Sequence, residues 1–291
     1  MRRRLAVGAV LFLAASTQWV LPPFIASAQE DETSEEAVPD ARLTGLDGEV
    51  TVFYHDQEGG GVPAEKDMPL EAGDRLRVGE GSRAEVTIDG ESLLSLGAGS
   101  DFRVRALESD NWNLSFLAGS LIARIKSIAS SGGSVRIWTP TAVASVRGTE
   151  LGIEIDEEGA SHVGVFEEGQ VAVSGVVDAE ALERGQVVLS PNEETSIFKD
   201  RPEPQAARPL GRFLAHRARA RAMRPRLEIL RRHWRRLATE KRREIRRRTF
   251  ERRRRLLQTI QHKRRKLKED VKRSRRERRV RDAGRRRRPG P

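Results

Sequence analysis

Between residues 42 and 198 the chain is built from one recurring unit: a glycine, a small or polar residue, then a short run in which apolar and polar side chains alternate. The units open as GSRAEVTI at Gly81, GSDFRVRA at Gly99, GSLIARIK at Gly119, GTELGIEI at Gly148, GQVAVSGV at Gly169 and GQVVLSP at Gly185. Period-two alternation is the pattern of a strand buried on one face. Glycine suits points where a chain must turn with positive φ before re-entering a sheet. Ala84, Val86 and Ile88 share a face, as do Phe102, Val104 and Ala106, with Arg103 and Arg105 opposite. The expected fold is an all-β body (residues 42–198), either a β-sandwich or a solenoid-like stack of short strands, followed by a long basic α-helical tail. The spacing of the units is too irregular for a strict coil-by-coil solenoid. A body of this size buries a core unaided. The absence of cysteine excludes disulfides, thiolate chemistry and cysteine-based zinc sites.

Charge divides the chain sharply. Residues 1–200 carry 16 basic and 34 acidic side chains, residues 201–291 carry 38 and 9, and the formal net charge is +11. Such asymmetry points to an anionic partner or to a contact of the tail with its own acidic body. At the other end, Arg2, Arg3 and Arg4 precede an apolar run over residues 5–15, too short to span a bilayer, and then Ala26, Ser27 and Ala28. This reads as a signal peptide over residues 1–28, and so as a periplasmic or extracellular protein. Residues 29–41 form an acidic linker. Residues 199–225 read as a Pro/Ala-rich hinge with Pro225 in a first helical turn, residues 226–283 as a basic helix, and residues 284–291 as a disordered basic end. In the helix, Leu227, Leu230, Trp234 and Leu237, then Leu256, Ile260, Leu267 and Val271, make a narrow apolar stripe. It is enough for a weak coiled coil, self-association or a docking face, but not for a core of its own.

The stretch TPTAVASVRGTELGIEID (residues 139–156) interrupts the pattern. Thr139 and Pro140 mark a turn or strand edge, because proline cannot donate to a central ladder. Arg147, Gly148, Thr149 and Glu150 break an apolar run; Leu151, Ile153 and Ile155 then face the core. Residues 157–159 close a hairpin, and residues 162–166 return beside it. These six polar or special residues are candidates either for partner docking, with Arg147 as anchor, or for architecture. Together with PLEAGDRLRVGEGSRAEVTI (69–88), LLSLGAGSDFRV (93–104) and LAGSLIARI (117–125), this stretch resembles the FecR domain, the Thr-Pro-x-Ala-x-x-x-Val-Arg-Gly-Thr run being the most specific piece. The resemblance implies an all-β, non-enzymatic module of protein–protein signalling in the bacterial envelope. In the ferric-citrate regulator it implies relay of a signal from an outer-membrane receptor to a membrane-bound sigma-factor regulator. This chain differs in placing its hydrophobic segment at residues 5–15 and in adding the basic tail.

Catalytic motifs are missing from the sequence. The body holds two histidines, His55 and His162, no nucleophile elbow, and no glycine loop with the lysine and helix that phosphate binding needs. No cofactor and no metal is expected. The reading is of an exported binding or scaffolding module, or alternatively a FecR-type signalling regulator, with an envelope protein as partner. Arg231, Arg232, Arg235, Arg236, Arg242, Arg243, Arg246, Arg247, Arg253 and Arg254 are expected to contact an anionic surface, either lipid headgroups or an acidic polymer. Nucleic acid is not the expected polyanion for an exported chain, and the tail carries no base-reading module. N-terminal sequencing of the exported form should return Gln29 first; a chain intact from Met1 in the cytosol would overturn the expectation of export.

Overall fold

The structure, a computed structural model, describes residues 39–55, 60–125, 133–182, 184–236 and 239–286. The expected signal peptide and residues 29–38 of the linker lie outside the described residues. The first nine strands are β1 (Ala41–Asp47), β2 (Val50–Phe53), β3 (Val62–Pro63), β4 (Pro69–Leu70), β5 (Arg75–Val78), β6 (Arg83–Ile88), β7 (Ser92–Leu96), β8 (Asp101–Leu107) and β9 (Asn111–Arg124). The next nine are β10 (Ser134–Trp138), β11 (Ala142–Val146), β12 (Glu150–Ile155), β13 (Ser161–Val165), β14 (Val171–Val177), β15 (Glu180–Ala181), β16 (Val187–Leu189), β17 (Glu193–Ile197) and β18 (Arg208–Pro209). A 3-10 turn at Arg212–His216 leads into helix α1 (Arg217–Arg236), and α2 (Thr239–Arg286) follows. None of the described helices is long and apolar enough to cross a membrane.

Apart from the two-residue β15, which pairs with the end of β14, the strands make two sheets that share β9. One runs β4-β1-β6-β7-β9-β12-β13-β17-β18. The other runs β3-β2-β5-β8-β9-β10-β11-β14-β16. The N-terminal half of β9 pairs with β8 and β10, and its C-terminal half with β7 and β12. Among the described residues every ladder is antiparallel except β9–β10. A coil-by-coil stack needs parallel ladders, so the solenoid-like expectation gives way to two sheets joined through one strand. A single buried cluster draws on both, from Leu43, Val86 and Ile153 on one side to Val52, Val104 and Val173 on the other.

Five of the six recurring glycines mark where the chain changes sheet. Gly81, Gly99, Gly148 and Gly169 stand between strands of different sheets, and Gly119 stands inside β9 at the change; all have positive φ. At Gly119 the approach is also close, since a Cβ there would lie 2.6 Å from Ser100 Cα. The alternation misleads at one point. A bulge between Val104 and Ala106 shifts the phase of β8, so Ala106 is half-buried and Leu107 enters the core instead.

The tail docks on the body. Helix α1 begins well before residue 226, with Pro225 in its interior. An interior proline costs about 3 kcal/mol, and tertiary burial outweighs it. Phe213, Ala220, Met223 and Leu227 pack with Leu93, Ile122, Phe166 and Leu210 as a second core, on the face of the first sheet turned away from the main one. Gly152 and Gly164 are cross-strand partners in β12 and β13. Lacking side chains, they leave a recess that the Phe213 ring fills; a Cβ at either would stand 2.6 or 2.5 Å from that ring. Phe166 meets Phe213 edge-on, with centroids 6.4 Å apart.

The recess generates a double-mutant test. Phe213→Ala should cost about 3–5 kcal/mol in urea unfolding of the full chain. Gly164→Ala should cost about 1–3 kcal/mol in the parent and clearly less in the Phe213→Ala background, where of the nearest atoms only Leu210 Cδ1, 3.0 Å from the added methyl group, still crowds it. Additive costs would exclude the recess as the seat of α1.

Candidate functional site

The stretch 139–156 is a seam between the sheets. It leaves β11 in the second sheet, turns at Arg147–Gly148–Thr149 and enters β12 in the first. Its start is fixed by buried hydroxyls. Thr141 donates to Ser161 Oγ (2.6 Å), Ser161 to Thr139 Oγ1 (2.7 Å), and Thr139 to the carbonyl of Ala142 (3.0 Å). The Ala142 amide donates back to Thr139 (2.8 Å), so Thr139 caps the turn in which Pro140 is exposed. At the crossing, Gly148 has φ 66° and the buried Thr149 hydroxyl donates to the carbonyl of Glu168. His162 bridges the neighbouring hairpin, with Ser196 at 2.8 Å on one ring nitrogen and Asp156 at 3.0 Å on the other.

Glu150 ends the motif, and it is only 2% exposed. A carboxylate so buried must be paired. Arg124 of β9 makes one ion pair with it. Arg224 of α1 makes the other in a two-pronged fork, Nε to Oε1 and Nη2 to Oε2, both 2.8 Å. Arg224 also reaches Glu167 at 2.8 Å, and Arg124 reaches Glu168 at 3.0 Å. Burial pushes the Arg124 guanidinium below its ordinary value; Glu168 opposes this, while Arg224 and Arg231 add to it. The hydrogen bond from Arg221 holds the Glu167 carboxyl below the usual glutamate range. Its contribution to docking is therefore present at neutral pH and lost as the pH falls through the lowered value.

Further pairs tie the tail down. Arg226 meets Glu85 at 2.5 Å and Arg212 meets Glu154 at 2.8 Å. Buried Glu194 accepts the amides of Gly211 and Arg212 (3.0 and 2.9 Å) and pairs with Arg208 (3.2 Å). On α2, Arg253 is 5% exposed and reaches Asp74 of the body through both Nη atoms (2.8 and 3.1 Å) and Glu71 at 2.5 Å. Its Cζ stands 4.1 Å from the Tyr54 ring centroid. Donor atoms of His55, Glu71 and Asp74 lie within 4.8 Å of one another, and the cation paired with the two carboxylates is this guanidinium.

The sequence candidates thus separate. Thr139, Gly148, Thr149 and Glu150 are held in the fold, whereas Arg147 is exposed and makes no ion pair among the described residues. Of the arginines expected at an anionic surface, Arg232, Arg236, Arg247 and Arg254 are exposed. Arg231 is half-buried and pairs with Glu228. Arg253 corrects the expectation: it serves a buried carboxylate of its own chain. The side chains of Arg235, Arg242, Arg243 and Arg246 lie outside the described residues. In the apolar stripe, Leu227 is buried and Leu230 packs beside it, both on the chain's own body; Leu267 and Val271 are exposed. The receiving residues Asp74 and Glu85 and the ring of Phe213 were missed. The charge asymmetry was the one signal for the two carboxylates, and it does not name residues; it gives no sign of Phe213.

Residues 74–172 match the family model described as "FecR protein". Among solved structures, two crystal structures of a "putative anti-sigma factor" from Parabacteroides distasonis ATCC 8503 are similar, each at 19% identity and a TM-score of 0.40. The similarity covers 49% of this chain and 62% of theirs, so this chain spans less than two thirds of their length. No curated protein matches.

Two comparisons by thermal melting follow from the seam. Gly148→Val should cost about 2 kcal/mol, because a β-branched residue resists φ 66°, while Arg147→Ala stays within about 0.5 kcal/mol. Arg224→Ala, which takes one partner from buried Glu150, should cost about 2 kcal/mol; Arg221→Ala, at an exposed pair, should cost less than about 1 kcal/mol. Equal costs in either comparison would overturn the assignment behind it.

Proposed function

Because residues 74–172 are a FecR domain, we propose that this chain is a non-enzymatic signalling regulator of the FecR type. It is exported to the bacterial cell envelope, where its β-domain meets a protein partner. The match over 74–172 carries the reading, and it takes in the seam at 147–150. Export rests on the basic, apolar and small-residue sequence of residues 1–28. By likeness to the family, the partner is an envelope protein of a sigma-factor signalling system. Arg147, alone of residues 147–150 in being exposed, offers a partner a charged fork that makes no ion pair among the described residues.

The distal part of α2 supports a second, compatible role. Lys263, Arg265, Lys266, Lys268, Lys272 and Arg273 are all exposed. Such a face adsorbs to anionic headgroups or polymers, each cation near an anionic membrane contributing about 1 kcal/mol, with screening by salt. Cutting the chain after Lys199 would not isolate this role, since it would also uncover the second core; a chain ending at Arg236 keeps α1 seated.

The test is transcriptional. Deleting the gene in the producing bacterium should change one coherent set of transcripts sharing a single promoter type. Wild-type protein should restore them, and Arg147→Ala, folded and exported, should not. An unchanged transcriptome, with a protein released from the envelope fraction by salt alone, would leave adsorption as the whole function and end the signalling reading.

A further inference from the structure

Asp74 is buried and fixed by the body before the tail reaches it. Its Oδ1 accepts the His55 amide (3.0 Å) and its Oδ2 the Glu71 amide (2.8 Å). Glu71 brings a second carboxylate, and the hydroxyl of Tyr54 donates to Met68 Sδ at 3.6 Å, orienting the ring. Two carboxylates and an aromatic face, all on the body and converging on one point, form a receptor for a planar cation with forked donors. We propose that Tyr54, Glu71 and Asp74 are a guanidinium-binding site, which the chain fills with its own Arg253 and which an arginine of a protein partner occupies when α2 lifts away.

The two helices are not held alike. Helix α1 is seated by Phe213, Ala220, Met223 and Leu227 and by pairs to Glu85, Glu150 and Glu167. Among the described side chains of α2, only Arg253 and Leu257 are buried, with Leu256 and Ile260 half-buried beside them. Arg252, Arg254 and Arg255 are exposed. Exposed contacts help to hold α2, Arg252 pairing with Glu65 and Arg264 donating to the Gly60 carbonyl (2.7 Å). Arg253 is nevertheless the one buried charge among the described side chains of this 48-residue helix, and a competing guanidinium is the ligand that releases it. The outside ligand is an arginine of a polypeptide because the slot presents a fork of acceptors and a ring, which a lysine's compact ammonium fits less well. Only that outside ligand rests on the reading of the chain as a partner-binding regulator; the site itself is tested without a partner.

Tyr54 is the chain's sole tyrosine, so labelling tyrosine with carbon-13 gives one ring signal at the site. In the full-length protein, Arg253→Ala should shift that signal, and millimolar methylguanidinium should return it saturably toward the parent position. Methylammonium at equal ionic strength should not. Arg253→Lys, which keeps the charge, guards against loss of fold and should show a partial shift. Asp74→Asn in the Arg253→Ala background should abolish the response. In the parent protein, methylguanidinium but not methylammonium should accelerate amide exchange over residues 250–262 at least tenfold and leave α1 unchanged. Equal responses to the two cations, no response, or a response to calcium alone in Arg253→Ala would overturn the proposal, the last in favour of a metal site at His55, Glu71 and Asp74.

Discussion

Two carboxylates buried in the β-domain, Glu150 and Asp74, determine why the domain and its tail are one object. A buried carboxylate without a cation is among the most costly groups a fold can hold. Glu150 has Arg124 from its own sheet and Arg224 from α1; Asp74 has the Glu71 amide, the amide and ring of His55, and Arg253 from α2. The surrounding pairs to Glu85, Glu154 and Glu167 are partly exposed and add little each. The apolar seat around Phe213 supplies the burial, and the two sealed charges fix where the helices sit along the surface. A strongly basic segment that looks made for an outside polyanion thus uses its best-placed arginines internally.

That division explains what could be read from the chain and what could not. Period-two alternation located Arg83–Ile88 and the core face of Leu151, Ile153 and Ile155 because each strand has one face on the main core. The recurring glycines announced turns, but their function as crossings between sheets depends on pairings made by residues far apart, such as Ala123 with both Leu94 and Leu151. Ala106 failed because a bulge shifts the pleat without any glycine or proline to mark it. Gly152 and Gly164 form a recess that is visible only once β12 and β13 lie side by side with Phe213 above.

The candidate site was legible as a motif and not as a mechanism. Arg147 to Glu150 drew notice as an interruption, and the residue types fitted either docking or architecture. The structure divides them: Gly148 by its backbone, Thr149 and Glu150 by their burial belong to the fold, and Arg147 is left to the surface. Pro225 hid the true start of α1, because a proline within a helix is read as its first turn unless the packing that tolerates it is known.

The strand shared by the two sheets has a consequence for how the chain is made. β9 meets β7 and β8 before it and β10 and β12 after it, so its edges are completed only by residues up to Ile155. Until then it is a long strand with exposed ladder groups, a template for wrong pairing. Contacts at such sequence separation also form slowly. A nascent chain cut off before that point has no half-domain to fall back on, since the two sheets are joined only through β9 and its last partner strand, β12, is not yet made.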